Sequence, residues 1–336
     1  MAHIPQILVV GSFVMDLITS TQQFPSEGQT VLGCDFQMAP GGKGANQAVQ
    51  AARLGARVTM VGKVGDDLFG RRLIASSSEA GIDIGEVKKD GGVPSAVGNV
   101  IIERCGTAAA NRIIVVPGAN MAIRPEDVAF LEEDIAHYDM VILQLEIPME
   151  INILVARYAR AKGVPVMLNA APSDKLPLEL LQNITYISPN EHEAADITGI
   201  SIDCDSGETL ENRVRAATAK LMEMGVDHAL ITLGSRGAAF GDREEFLLCP
   251  AREGVTVVDP TAAGDSFVAA FCTAVCCGAG HGQAVEFAND VAAITVSRMG
   301  AQPSLPTIEE VAAGWSGEEQ TKFRQIYTVL QEGKTA

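Results

Sequence analysis

Two hydrophobic rhythms alternate along the chain. Short apolar, often β-branched runs at Ile7–Val10, Val58–Val61, Val141–Leu143, Val166–Asn169, Tyr186–Ser188 and Ala229–Thr232 predict strands covered on both faces. Between them, apolar residues at helical spacing predict helices over Lys43–Leu54 (closed by Gly55), Asp67–Ala80 (stopped by Gly81) and Pro148–Lys162. The same pattern continues over Asn190–Thr198, Leu210–Met224, Ala263–Cys277 and Gln283–Met299. Strand–helix alternation of this kind predicts an α/β fold with a doubly wound, mostly parallel sheet and helices on both faces. Ligands of such sheets sit beyond the carboxyl ends of the strands.

Two stretches break the rhythm. Ile18–Met38 and Ser95–Val116 hold extended, alternating segments with no helix between them (Val97, Asn99, Ile101, Glu103; then Arg112 to Val116). They predict a small antiparallel sheet, with lid segments at about 14–38 and 95–117, that covers a site or meets a second copy. With no linker or internal repeat in view, residues 1–336 are expected to form one domain. The tail at 315–336 is expected to add a helix.

Composition narrows the function. A net charge of −17 argues against a nucleic-acid partner, which requires a basic face to displace counterions. No apolar run reaches the ~20 residues a membrane span needs. Cysteines at 34, 105, 204, 249, 272, 276 and 277, with no signal peptide ahead of them, are expected to be reduced in a cytoplasmic protein. Cys272, Cys276 and Cys277 form no metal pattern and are expected to be core packing.

Four motifs carry chemistry. In Asp259-Pro-Thr-Ala-Ala-Gly-Asp265 an extended run enters a helix, so the amides of Ala262, Ala263 and Gly264 would face an anion across a helix N-terminus. Asp265 there would repel that anion unless it accepts the proton of an attacking hydroxyl. Taken alone, the same residues more often read as a helix-capping turn. Pro40-Gly-Gly-Lys-Gly-Ala-Asn-Gln47 would bring backbone close to a ligand, and it is not a nucleotide-binding Walker loop. Asn190 with Glu193, and Thr232-Leu-Gly-Ser-Arg-Gly237, each follow a strand; a helix cap and a hairpin turn explain them on their own. No GxGxxG follows a strand, which disfavours a dehydrogenase.

Together these motifs, with Gly300-Ala-Gln-Pro-Ser304, resemble the PfkB/ribokinase family in order and across nearly the whole chain. The resemblance implies an ATP-dependent carbohydrate kinase that phosphorylates the 5-hydroxyl of D-ribose, with 2-deoxyribose, or the sugar or nucleoside of another PfkB-type kinase, as the alternative acceptor. It implies that Val14, Asp16, Gly42, Lys43, Gly44, Asn46 and Glu146 line the sugar, and that Asp265 is the base beside the amides of Ala262, Ala263 and Gly264. ATP would meet Asn190, Thr232, Leu233, Gly234, Ser235, Arg236, Gly237, Gly264 and Asn289. Glu193 would act on Mg²⁺ through water, and K⁺ would be held by Asp259, Thr261, Thr295, Arg298, Gly300 and Ser304. A homodimer through the lid is also implied. The chain departs from the family pattern at Pro260, at Val14-Met15 and at Asn289. An intact Asp265 and anion-binding run count against a catalytically silent sugar sensor.

Overall fold

The architecture follows from where each apolar run can hide. In the computed structural model, which describes residues 3–105, 108–202 and 209–335, the buried runs form one sheet. Its strands are β1 (Gln6–Val10), β4 (Arg57–Gly65), β5 (Val87–Asp90), β8 (Met140–Gln144), β9 (Val166–Asn169), β10 (Tyr186–Ser188), β11 (His228–Thr232), β12 (Ala238–Gly241) and β13 (Phe246–Cys249). Among the described residues the order is β13-β12-β11-β10-β9-β8-β1-β4-β5. Pairing is parallel from β5 to β11 and antiparallel across β11, β12 and β13.

Alternation along a strand sends neighbouring side chains to opposite faces. In β1, Ile7 and Val9 enter one core and Leu8 and Val10 the other. The first core packs the helices Lys43–Leu54, Ala263–Cys276 and His281–Val296; the second packs Met149–Lys162, Glu191–Thr198 and Leu210–Glu223. The last of the sequence-derived helices begins at His281 rather than Gln283 and stops at Val296 rather than Met299. Gly280 caps its start, and the residues after Val296 turn away to bond the Asp259 loop.

A second sheet stands off the first, in the order β3 (Gly33–Gly41), β2 (Val14–Thr21), β6 (Val97–Cys105) and β7 (Ala108–Val116). Its outer pairs are antiparallel as expected, whereas the central β2–β6 pair is parallel. The cause is topological: β2 continues from β1 and β6 from β5, two strands of one parallel sheet leaving in the same direction. Both exits are pinned. Asn120 accepts from the Phe13 N–H at 3.0 Å and donates to its carbonyl at 2.9 Å. Asp67 accepts from the Ser95 N–H at 2.8 Å.

The tail does more than add one helix. Helices Gly317–Lys322 and Arg324–Thr335 follow Trp315, and Phe323, Ile326 and Leu330 are buried in the first core. Trp315 Nε1 donates to Asp290 Oδ2 at 3.1 Å. Cys34, Cys249, Cys272, Cys276 and Cys277 are free thiols; Cys204 and the Cys105 side chain lie outside the described residues. Burial pushes the Cys277 thiol up to about 12, which keeps it protonated and inert.

Candidate active site

The Val258–Ala263 segment turns into the Ala263–Cys276 helix through Ala262, which adopts φ 62°, a left-handed conformation that costs an alanine free energy. A Cβ built on Gly264 would meet nothing within 4 Å, so this helix start faces open space. Asp265 follows, buried on the first turn.

Its carboxylate is held by neutral amides. Asn46 Nδ2 donates to Oδ2 at 2.9 Å and Gln47 Nε2 to Oδ1 at 3.0 Å. Gln47 is itself fixed by Gln144, whose Nε2 donates to Gln47 Oε1 at 2.7 Å, and by Asn169 Oδ1 at 3.2 Å. Each Asp265 oxygen keeps a second lone pair for a substrate proton. The Asn46 Oδ1 and Ser188 Oγ atoms are buried without a hydrogen-bond partner among the described atoms, and Ser188 lines the cleft described below.

On the lid side, Glu146 Oε2 accepts from Ser12 Oγ at 2.5 Å and from the Lys43 N–H at 3.0 Å, while the Gly44 N–H donates to Ser12 Oγ at 3.2 Å. Asp16 reaches across from β2. A Cβ on Gly41 would lie 2.7 Å from Asp16 Oδ2, and one on Gly98 2.3 Å from Oδ1. Burial, and then the nearby Glu146 charge, raises Asp16 to about 6. Gly42, at φ 95°, lets the loop pass against Val14, where a Cβ would come within 2.7 Å of the Val14 nitrogen. Val14 lies two positions before Asp16 in the strand, hence on the same face, and is buried.

A cleft of about 200 Å³ opens beside Asp265, lined by Lys43, Asn169, Ala171, Ser188, Asn190, Glu193, Thr232, Pro260 and Ala262–Asp265. Asn190 caps the Glu191–Thr198 helix: its Oδ1 accepts from the Glu193 N–H at 2.9 Å, and Glu193 Oε2 accepts from the Asn190 N–H at 2.8 Å. Burial raises Glu193 despite the Asn190 bond and Lys43. Lys43 is itself raised: burial pulls it down, but Asp265, Glu146 and Glu193 together outweigh that.

Not every sequence-derived site residue meets this cleft. Lys43 lines it, its ammonium under the charges of Asp265, Glu146 and Glu193, while its backbone N–H donates to Glu146. Leu233 is buried in the second core, which leaves no side chain there for a nucleotide. Arg236 pairs with Glu191. Asn289 donates to the Pro250 carbonyl at 3.1 Å and so braces the β13 exit. Gly234, Ser235 and Arg236 form a single 3-10 turn ending at Gly237, where a Cβ would collide with the Cys249 carbonyl at 2.1 Å. Behind the turn at 262–264, Asp259 Oδ1 accepts from the Thr261 N–H at 2.9 Å and Oδ2 from the Gly300 N–H at 2.9 Å. That bond joins the Asp259 and Gly300 loops. Thr295 and Ser304 are buried nearby, and Arg298 turns its side chain to Glu310.

The family model for pfkB carbohydrate kinases matches residues 5–308. A ribokinase from Schizosaccharomyces pombe is 38% identical over 324 residues, covering 94% of this chain and 99% of its own. A deoxyribokinase from Salmonella typhi is 33% identical over 305 residues, covering 90% and 96%. The solved structure of Arabidopsis thaliana ribokinase complexed with ribose and ATP superimposes with a TM-score of 0.84 at 32% identity, covering 94% of this chain and all of that one.

Proposed function

The chain belongs to the pfkB family of carbohydrate kinases, and on that footing we propose that it phosphorylates the 5-hydroxyl of D-ribose with ATP to give ribose 5-phosphate and ADP. The observation that carries the reading is the position of Asp265: a buried carboxylate held by two amides, on the first turn of a helix whose N-terminus opens on the cleft. Ribose hydroxyls would be held by Asp16, Asn46, Glu146 and the backbone of Gly42–Gly44, with Asn46 Oδ1 free to accept. Asp265 takes the proton as the 5-oxygen attacks the γ-phosphorus and ADP departs. The amides of Ala262 and Gly264 and the Lys43 ammonium would face the charge that develops on the transferring oxygens, whereas the Ala263 N–H is donated to the Pro260 carbonyl at 3.2 Å and would have to leave it to join them. ATP would lie over Asn190, Thr232 and Gly234–Gly237, with Asn289 bracing that end of the site.

The donor set fits two cations. Glu193 lines the cleft with a carboxylate oxygen outside the capping bonds, suited to the waters of Mg²⁺, which would neutralise the triphosphate. K⁺ would be held by the Asp259 carboxylate, the Ser304 hydroxyl and the carbonyls of Thr261, Thr295, Arg298 and Gly300, and the Gly300 N–H bond to Asp259, which ties the two loops together, supports that reading. The lid leaves Leu32, Phe36, Ile113 and Ile114 exposed, which supports a homodimer paired through this sheet. One domain with this lid, working in the cytoplasm, completes the reading; among the described residues no helix is long and apolar enough to cross a membrane.

A second reading rests on Val14. An apolar side chain on the Asp16 face cannot hydrogen-bond a hydroxyl, which favours 2-deoxyribose as a co-substrate or preferred substrate. The test is ADP release over ribose, 2-deoxyribose, other pentoses and nucleosides, followed by phosphorus NMR of the product. Phosphate coupled to the C5 protons of a pentose supports the proposal; turnover confined to nucleosides or hexoses overturns it.

A further inference from the structure

A cluster of ligating side chains lies at the far end of the main sheet. His228 is the first residue of β11 and Thr232, at the cleft, the last, so about 13 Å of strand separates the two ends. Because β12 runs antiparallel, Asp242 just after it returns beside His228. His281, at the start of the His281–Val296 helix, closes the group, and one ligand atom from each residue lies within 4.8 Å of the others.

The geometry points to a divalent transition-metal site of the kind zinc occupies, held by His228 Nδ1, Asp242 Oδ2 and His281 Nδ1, with the Glu245 carboxylate in reach as a fourth ligand. His228 Nδ1 lies 3.4 Å from Asp242 Oδ2. Tetrahedral donors each about 2.0–2.1 Å from an ion sit ~3.3 Å apart, so this edge already has the right length. His281 Nδ1 lies 4.0 Å from Asp242 Oδ2 and 3.8 Å from Glu245 Oε1, separations that small ring and carboxylate rotations close.

The outer atoms are arranged to leave the inner ones free. Asp242 Oδ1 accepts from the Glu244 N–H at 2.8 Å and the Glu245 N–H at 2.9 Å, which fixes the carboxylate and leaves Oδ2 facing the imidazoles. His281 Nε2 meets the Tyr186 hydroxyl at 3.3 Å, so a proton on Nε2 presents the Nδ1 lone pair. His228 Nδ1 is buried with no hydrogen-bond partner among the described atoms. Both rings are wedged by aromatics: His228 stacks on Tyr186 at 4.8 Å between centroids, and His281 on Phe240 at 4.4 Å. Two imidazoles and carboxylates suit zinc-like ions over Mg²⁺, which keeps this site distinct in chemistry from the nucleotide cation. A bound ion would staple the β12–β13 hairpin and β11 to the helix that carries Asn289.

Metal-free protein, with Mg²⁺ in excess to occupy weaker oxygen sites, is titrated with Co²⁺ and then Zn²⁺. The expected result is one equivalent bound, visible d–d absorption without a thiolate charge-transfer band, and a Zn²⁺-dependent rise in Tm. His281→Gln and Asp242→Asn are expected to weaken binding at least ~10-fold and abolish the rise, and Tyr186→Phe, which preserves the packing, to weaken it by ~10-fold. No stoichiometric binding to the wild type, a thiolate band, or wild-type affinity in these folded variants overturns the site.

Discussion

Asn46 and Asp265, 219 positions apart, are joined by a 2.9 Å hydrogen bond from Nδ2 to Oδ2. The helix that starts within the glycine-rich motif thereby orients the carboxylate that ends the Asp259–Asp265 motif. Replacing the amide with a second carboxylate, Asn46→Asp, puts like charges in contact and favours the protonated base. The acid limb of kcat/KM is expected to move up by at least about one pH unit, with a lower plateau. A pH–rate profile measures this, and an unmoved acid limb speaks against Asp265 as the titrating base.

Asp16 carries a different pH signature. Its value in the folded protein, about 6, exceeds its ordinary 3.8, so protonation favours the folded state and ionisation costs stability. The cost is absent below the ordinary value and complete above about 6. Asp16→Asn is therefore expected to melt higher than the wild type near neutral pH without sugar, the advantage fading as pH falls through that window. In the same variant the KM for ribose is expected to rise more than kcat falls. Equal melting curves at all pH values contradict the assignment.

Val14 tests acceptor choice. Val14→Asn adds a donor and acceptor on the Asp16 face, so the ratio of kcat/KM for ribose over 2-deoxyribose is expected to rise by at least ~10-fold. A ratio unchanged by the substitution assigns Val14 to packing alone.

The Asp259–Gly300 link predicts a cation response. K⁺ is expected to raise kcat over a tetramethylammonium buffer at saturating Mg-ATP, and Asp259→Ala to remove that response. A flat K⁺ titration of the wild type contradicts the ion site.

Most helices and buried strands were legible because their apolar spacing is local; Lys43–Leu54, for instance, has the predicted bounds. β5, with the sequence Val-Lys-Lys-Asp, was not, because an edge strand of that composition shows no apolar run. The motifs marked Asp265, Lys43, Asn190 and Glu193, all of which line the cleft. Gln47, Gln144 and Asn169 went unassigned, since buried amides that meet only through the sheet leave no spacing to read. Gly98 and Asn120 were equally silent: the clash that requires glycine, and the bonds that pin Phe13, exist only once the lid is folded. Parallel β2–β6 pairing was hidden for the same reason, being set by the direction of β1 and β5.

The central claim is that Asp265 removes the proton from the sugar hydroxyl. Turnover of D-ribose by Asp265→Asn, measured alongside ATP affinity and circular dichroism, tests it most directly. The expected result is a kcat lower by at least ~10²-fold with ATP binding and fold retained, as loss of a general base requires. A folded variant that turns over D-ribose at a rate comparable to the wild type would contradict it.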